Sequence, residues 1–375
     1  CIRDRKTLLT PHSSLLTGKN LLAFSHGLDS TALFHLLLEN GIDFDIAMVN
    51  YGVREQAEEE VKAAEELADR YGLRAHILRA PKWESNFEAE ARRFRYEFFE
   101  SLIDQYGYET LLTAHQLDDR LAWFLMRMIR GAGTVELVGM EECSVRQTRS
   151  GRNYHLVRPL LRQSRAQLRE YLEARGIFWF EDVSNADHHY ERNRLGAEFG
   201  DGLMARYASG IRRTFDYLDR DRRALLEEMG ESWRCGDLRI VELHNPSAAS
   251  RAADRLLKRE GYLLRAAERE RIGRGESLVV GRRWAVEVKE GLLYLAPFRR
   301  GVTMPKSFRE LCRRLGIPPK IRPYLYTEEI DPSMLMKRIG ERESSEVTQP
   351  SKTSAPAEAL SSDCNEFLES KRDKE

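Results

Sequence analysis

From Asn20 onward, short apolar runs alternate with stretches in which apolar residues recur every three to four positions. That alternation is the pattern of βαβ units, in which a parallel sheet is covered by the helices that connect its strands. The runs predict strands at Leu21–Phe24, Phe44–Asn50, Arg74–Arg79 and Thr110–Ala114, with a weaker one at Phe178–Phe180. Between them, Ala57, Val61, Ala64, Leu67, Ala68 and Tyr71 share one helical face, and Phe87, Ala91, Phe94, Phe98, Leu102 and Tyr106 share another. A helix over Thr31–Glu39 follows the first strand and ends at Asn40-Gly41. Leu121–Ile129 is apolar on nearly every side and reads as a helix deeply buried or packed against a second domain. Ser164 and Gln167 have capping-box spacing, opening a helix to about Arg175, where Gly176 stops it.

Beyond about Gly200 the pattern changes to long Arg-rich helical stretches. Ser277–Pro297 then reads as short strands with turns at Gly281 and Gly291, a separate smaller unit. The tail from about Gly340 is rich in Ser, Pro, Glu and Lys and is expected to stay disordered, since it cannot bury enough apolar surface to offset its ordering entropy. The expected organisation is a catalytic domain over 18–200, a helical and small α+β region over 201–339, and a disordered tail over 340–375. No internal repeat is visible.

Composition narrows the class. At 375 residues, 42% hydrophobic and 32% charged, the chain is globular and long enough for two or three domains. Its longest mostly apolar stretch, Thr31–Leu38, falls well short of the roughly 20 residues of a membrane span. No basic stretch followed by an apolar core opens it, so the expected compartment is the cytoplasm, without a membrane. Five dispersed cysteines with no CxxC pair argue against disulfides, zinc ribbons and a local iron–sulfur motif. Sixty basic residues balance sixty acidic ones, but unevenly: Glu39–Glu109 carries a net charge of −8 and Arg251–Leu325 a net +11. A basic end suits a polyanionic partner, and it equally suits a solvated surface.

Ser25-His26-Gly27-Leu28-Asp29-Ser30 joins the first strand to a helix N-terminus. First-turn amides lack intrahelical acceptors, and the dipole adds about half a positive charge, so phosphate fits there. Taken alone, the same residues read as a helix cap with Asp29 and Ser30 as capping groups. No GxxxxGK[ST] occurs, which argues against a P-loop NTPase. At the end of the fourth predicted strand, Thr113-Ala114-His115-Gln116-Leu117-Asp118-Asp119-Arg120 enters the apolar helix. In a parallel sheet it falls near the Ser25 loop. Asp118 or Asp119 could hold a magnesium ion bridging phosphate oxygens, or serve only as a helix-start carboxylate. His115 alone reads as a structural histidine.

Together these residues carry a resemblance. The Ser25–Ser30 run resembles the SGGxDS pyrophosphate loop of N-type ATP pyrophosphatases, and residues 20–195 resemble the tRNA(Ile)-lysidine synthetase family. In order along the chain, Val49–Arg54 is similar to NHGLR, Glu88–Arg92 with Arg95-Tyr96 to EAxAR…RY, and Thr113–Arg120 to TAHHxDDQ. Ile129-Arg130-Gly131-Ala132-Gly133 is similar to LLRGSG, Val157–Leu161 to RPLL, and Glu181–Asn185 through Arg192–Arg194 to EDPSN…RNR. Ser307–Leu311 with Gly316–Lys320 resembles the small C-terminal tRNA-contacting module. The chain departs from the pattern at His26 (Gly), Tyr51 (His), Gln116 (His), Arg120 (Gln) and Leu195-Gly196 (IRH).

The resemblance implies a Rossmann-like α/β fold of the adenine nucleotide alpha hydrolase type and a ligase that forms lysidine. The wobble cytidine of an isoleucine tRNA with a CAU anticodon is adenylated by ATP, and free lysine then displaces AMP. It implies ATP and Mg2+ as co-substrate and cofactor. Asp29, His115, Asp119 and Arg130 are the expected catalytic residues. Ser25, His26, Gly27, Leu28, Asp29, Ser30, Asn50 and Arg158 are expected to bind nucleotide, and Asp29, Asp118 and Asp119 the metal. Arg313, Arg314, Lys320 and Arg322 are the expected tRNA-binding cluster, and self-association as a homodimer is a further expectation. Two alternatives remain open at this point: another tRNA-modifying enzyme on the same domain, such as a thiolase, and a degenerate RNA-binding protein.

Overall fold

The computed structural model describes residues 16–340, apart from 53–55, 82, 84–86 and 182–193. Val53 and Arg54, residues 182–193 of the EDPSN…RNR stretch and the expected tail over 341–375 lie outside the described residues. The chain divides into two units, the first ending at Arg220 and the second beginning at Asp221.

The first unit is built on β1 (Asn20–Ala23), β2 (Phe44–Asn50), β3 (Ala75–Arg79), β4 (Thr110–Leu112), β5 (Cys143–Gln147) and β6 (Asn153–Val157), in the order β3-β2-β1-β4-β6-β5. All neighbours pair in parallel except β5 with β6. Its helices are α1 (Leu28–Glu39), α2 (Gln56–Tyr71), α3 (Phe87–Tyr106), α4 (Leu117–Ile129), α5 (Thr134–Leu137) and α6 (Arg165–Glu173). A π turn at Gly196–Gly200 leads into α7 (Asp201–Glu227), which is kinked at Tyr207 and crosses the boundary between the units. The central strands are apolar at successive positions because both faces are covered. Leu22, Ile46, Met48 and Leu112 pack with α1, α2 and α6, while Leu21, Ala47 and Leu111 pack with Phe99, Leu102 and Ile103 of α3.

Two expectations change here, and one hairpin is added. The Phe178–Phe180 strand is a single parallel bridge between Phe180 and Gly27. With β1 already flanked by β2 and β4, the segment can pair only with chain beyond the end of β1. The β5–β6 hairpin, closed with Gly151 at φ 92°, was not legible because its polar residues obscure the period. Finally, α4 is not buried all round. Leu117 and Leu121 pack with Met204 and Phe215 of α7, whereas Met128 and Ile129 are exposed.

The second unit holds β7 (Met229–Cys235), β8 (Leu238–Leu243), β9 (Leu278–Val280), β10 (Trp284–Lys289) and β11 (Leu292–Pro297), an antiparallel sheet ordered β7-β8-β11-β10-β9. The turns at Gly281 and Gly291 are as expected, both glycines having positive φ. The β7–β8 hairpin replaces part of the expected helical stretch. Leu293 and Leu295 face α8 (Ala249–Arg259) and α9 (Ala266–Gly273), whereas Tyr294 and Ala296 face α10 (Lys306–Arg314), α11 (Arg322–Thr327) and α12 (Pro332–Gly340), as the period of two requires. No helix among the described residues is long and apolar enough to cross a membrane.

Candidate active site

Strand order reverses at β1, whose neighbours are β2 and β4, so the carboxyl ends of β1 and β4 form the switch point at which open parallel sheets bind ligands. The Ser25 loop and the Thr113–Asp119 stretch both leave from there. Phe24 still donates its N–H to Ala47 O at 2.9 Å, and the chain then turns sharply. Ser30 Oγ donates to Gly27 O (3.1 Å), lies 3.1 Å from Ser25 Oγ and accepts the Ser25 N–H (3.3 Å). These bonds stitch the loop to the first turn of α1. Leu28, Asp29 and Ser30 therefore belong to that turn rather than to a preceding loop. The N-cap is Gly27, with no side-chain cap bond, so Asp29 and Ser30 are not N-cap groups and the turn presents its amides without a capping side chain.

His26 adopts φ 55°, the left-handed conformation natural to the glycine of the SGGxDS pattern. For an L residue this costs roughly 1–2 kcal/mol. The ring is 5% exposed, with centroids 5.2 Å from Phe24 and 5.1 Å from Phe180. Burial lowers its pKa, opposed by the Glu60 backbone, while His35 lowers it further.

At the end of β4, His115 Nδ1 lies 3.0 Å from Thr113 Oγ1. Gln116 is the N-cap of α4: its Oε1 accepts the Asp118 N–H (2.5 Å), and Asp119 Oδ2 accepts the Gln116 N–H (3.0 Å). Asp118 Oδ2 accepts the Arg165 N–H, and burial raises its pKa, partly offset by that bond, with the Asp119 charge raising it further. Arg120 forms an ion pair with Asp219 and lies 4.5 Å over the Phe215 ring. Gln116 and Arg120 thus have defined structural work where the chain departs from the family pattern.

Asn50, buried at the end of β2, accepts the Gly52 N–H (2.8 Å) and donates to Glu58 Oε1 (2.9 Å), shaping the turn into α2. Arg158 follows β6, the neighbour of β4. It donates from Nη1 to Glu141 O (2.8 Å), and burial pushes its pKa down to about 10. Around Tyr96 the guanidiniums of Arg92 and Arg146 lie 5.0 and 5.1 Å from the ring. Burial would raise the Tyr96 hydroxyl, but Arg92, Arg146, Arg158 and Arg95 together hold it below its ordinary value. Arg146 carried no sequence signal, whereas Arg92, Arg95 and Tyr96 are brought together by their spacing of three to four on α3.

Not every expected residue joins this group. Arg130 is the exposed C-cap of α4, some 18 Å along that helix from Asp118 at 1.5 Å per residue. Among the described residues no three His, Cys, Asp or Glu side chains form a metal-holding group, so Asp29, Asp118 and Asp119 do not make a ready cage. In the second unit the Lys320 amine bonds Ser277, the Lys320 backbone N–H donates to Glu287 Oε2 (2.6 Å), and Arg322 Nε donates to Ile317 O (2.9 Å). These two cations brace a turn and are not part of an open cluster. Arg313 is ion-paired with Glu310, and Lys306, Arg309, Arg314 and Arg300 are exposed.

Residues 3–201 match the PP-loop domain. The tRNA(Ile)-lysidine synthase of Campylobacter jejuni is 40% identical over 86% of this chain and 96% of its own. That of Wolinella succinogenes is 41% identical over 86% and 97%, and that of Helicobacter pylori 38% over 87% and 93%. Among solved structures, a U34-tRNA thiolase from Methanococcus maripaludis matches at 18% identity and a TM-score of 0.45, over 57% of this chain and 76% of that one. With that domain matched and these relatives 38–41% identical over more than nine-tenths of their own length, the chain belongs to the tRNA(Ile)-lysidine synthase family of PP-loop proteins.

Proposed function

We propose that the chain converts the wobble cytidine of an isoleucine tRNA with a CAU anticodon to lysidine. In the first step the cytosine carbonyl oxygen at carbon 2 attacks the α-phosphorus of ATP. The bond to the β-phosphate bridging oxygen breaks, and pyrophosphate leaves. In the second, the ε-amine of lysine attacks carbon 2, the bond from that carbon to oxygen breaks, and AMP leaves while the amine gives up a proton.

The observation that carries this reading is the Ser25–Ser30 turn, which opens at the switch point onto an α1 whose glycine N-cap supplies no capping side chain. Charge develops on pyrophosphate as it departs, so fixed amides there stabilise the transition state more than bound ATP. Arg158, with the cations around Tyr96, suits phosphate oxygens, because several guanidiniums gathered in a buried place are best relieved by an anion. His115, oriented by Thr113, is the proposed acceptor of the lysine proton. A nucleotide-borne magnesium usually takes only one or two protein carboxylates, and the hard oxygens of Asp29 and Asp119 fit that need; when bound it would offset charge on the phosphate oxygens.

The test is incorporation of radiolabelled lysine into unmodified CAU-anticodon isoleucine tRNA. ATP-dependent labelling with release of AMP and pyrophosphate is expected. Folded protein that binds this tRNA yet transfers no lysine would overturn the reading.

A further inference from the structure

His26 occupies the place of a glycine in the loop, in a conformation that histidine adopts reluctantly, so its surroundings must hold it there. Two sets of contacts do so. Phe24, at the end of β1, and Phe180 lie against the ring at 5.2 and 5.1 Å, with Phe178 edge-on at 6.5 Å. Main chain adds the second: the Phe180 N–H donates to His26 O at 3.0 Å, and Phe180 bridges Gly27. Burial keeps the ring neutral near pH 7, so it sits among the aromatics without an unpaired charge.

We propose that His26 is a positioning residue for the pyrophosphate loop, its ring wedged between Phe24 and Phe180 so that the left-handed turn is fixed and tied to the Phe178–Glu181 segment. The inference rests on the reading of that loop given above. Glycine would allow the same turn along with many others. The histidine confines it, which matters because small displacements of a catalytic group carry large rate costs.

The experiment measures tRNA-dependent ATP–pyrophosphate exchange alongside the melting temperature, for the parent, His26→Gly, Phe180→Leu and the double variant. His26→Gly keeps the backbone conformation and removes the wedge. Its kcat/KM for ATP should fall between about tenfold and a hundredfold with little change in melting. Phe180→Leu should do the same, and the double variant should be no worse than the more impaired single one, as expected of residues acting as a unit. Should His26→Gly melt early, His26→Asn, which tolerates the left-handed turn without the ring, takes its place with the same expected loss. Exchange at the parent's rate in the folded glycine or asparagine variant, or strictly additive losses, would overturn the positioning role. Absence of exchange in the parent would instead overturn the reading of the loop.

Discussion

Asp118 Oδ2 accepts the backbone N–H of Arg165 at 3.0 Å, so one carboxylate at the start of α4 also sits at the start of α6. Its charge is favoured by both helix dipoles while burial opposes it. Asp119, one residue on, closes the capping box with Gln116. The adjacent carboxylates therefore divide their work. Asp118→Asn keeps an acceptor for the Arg165 N–H and removes a charge that burial disfavours, so it should raise the melting temperature slightly with little change in magnesium dependence. Asp119→Asn should raise the magnesium concentration for half-maximal lysine transfer and cost about 1 kcal/mol from the weakened cap. Equal magnesium dependence in the Asp119 variant and the parent would return Asp119 to capping alone.

Asp29 lies in the first turn of α1 and is the residue of the loop most exposed to failure of the functional reading. Asp29→Ala should abolish ATP–pyrophosphate exchange while tRNA binding persists, because the magnesium that would offset the departing charge would lose a carboxylate ligand. Exchange at the parent's rate would show that the loop is not the pyrophosphate site.

The sheet of the first unit was legible because its central strands are buried on both faces and leave unbroken apolar runs, as at Leu21-Leu22 and Ile46–Val49. The β5–β6 and β7–β8 hairpins were not, since Arg146, His155, Arg234 and Arg239 interrupt the alternation with long polar side chains whose partners are tertiary or lie in turns. The loop and Thr113–Asp119 motifs were visible as strand-end polar clusters. Arg146 was invisible because only the fold carries it to Tyr96. Lys320 and Arg322 looked like open surface cations because no local pattern announces Glu287 or the Ile317 carbonyl as their anchors.

Arg120 is buried, its side chain 3% exposed, and Asp219, at 27%, is the carboxylate that balances it. Removing one partner of such a pair leaves the other charge stranded. Asp219→Ala should cost about 3 kcal/mol, the low end for a buried pair, since Asp219 reaches solvent. The melting temperature should fall by roughly 8 °C. A change below about 2 °C would mean that water already compensates Arg120.

His26, His35 and His76 all have pKa values lowered below 6.5, burial being the first cause in each. Glu39 partly restores His35 and Asp45 partly restores His76, whereas Arg175 and Arg74 lower them further. As pH falls through 6.5 the unfolded chain binds these protons before the folded one, so stability must decline until the lower folded values are reached. Asp118 has the opposite sign: its folded pKa lies above its unfolded one, so its contribution grows as the pH falls through the folded value. The melting temperature should therefore drop between pH 7.5 and 5.5, and His35→Gln should flatten that drop. A flat profile in the parent would contradict the burial of these rings.

For a chain of zero net charge to hold tRNA its cations must be gathered in one place, and the net +11 of Arg251–Leu325 makes the second unit the expected one. Deleting everything after residue 300 would be a poor test, because Cys312, Ile317, Ile321, Tyr324 and Leu325 cover one face of its sheet and their loss would uncover the core. Charge reversal is cleaner. Lys306, Arg309 and Arg314 are exposed on α10, so Lys306→Glu, Arg309→Glu and Arg314→Glu together should leave folding intact. Every cation withdrawn from a tRNA phosphate should flatten the dependence of log affinity on log salt by about 0.7–0.9. The triple variant should thus bind tRNA more weakly, with a slope shallower by roughly two, and exchange ATP with an unchanged KM for ATP. Lys320→Ala and Arg322→Ala should instead lower the melting temperature, since their bonds run to Ser277 and Ile317. If the triple variant keeps the parent's salt slope, α10 is a solvated face, and the tRNA phosphates are held elsewhere on the chain.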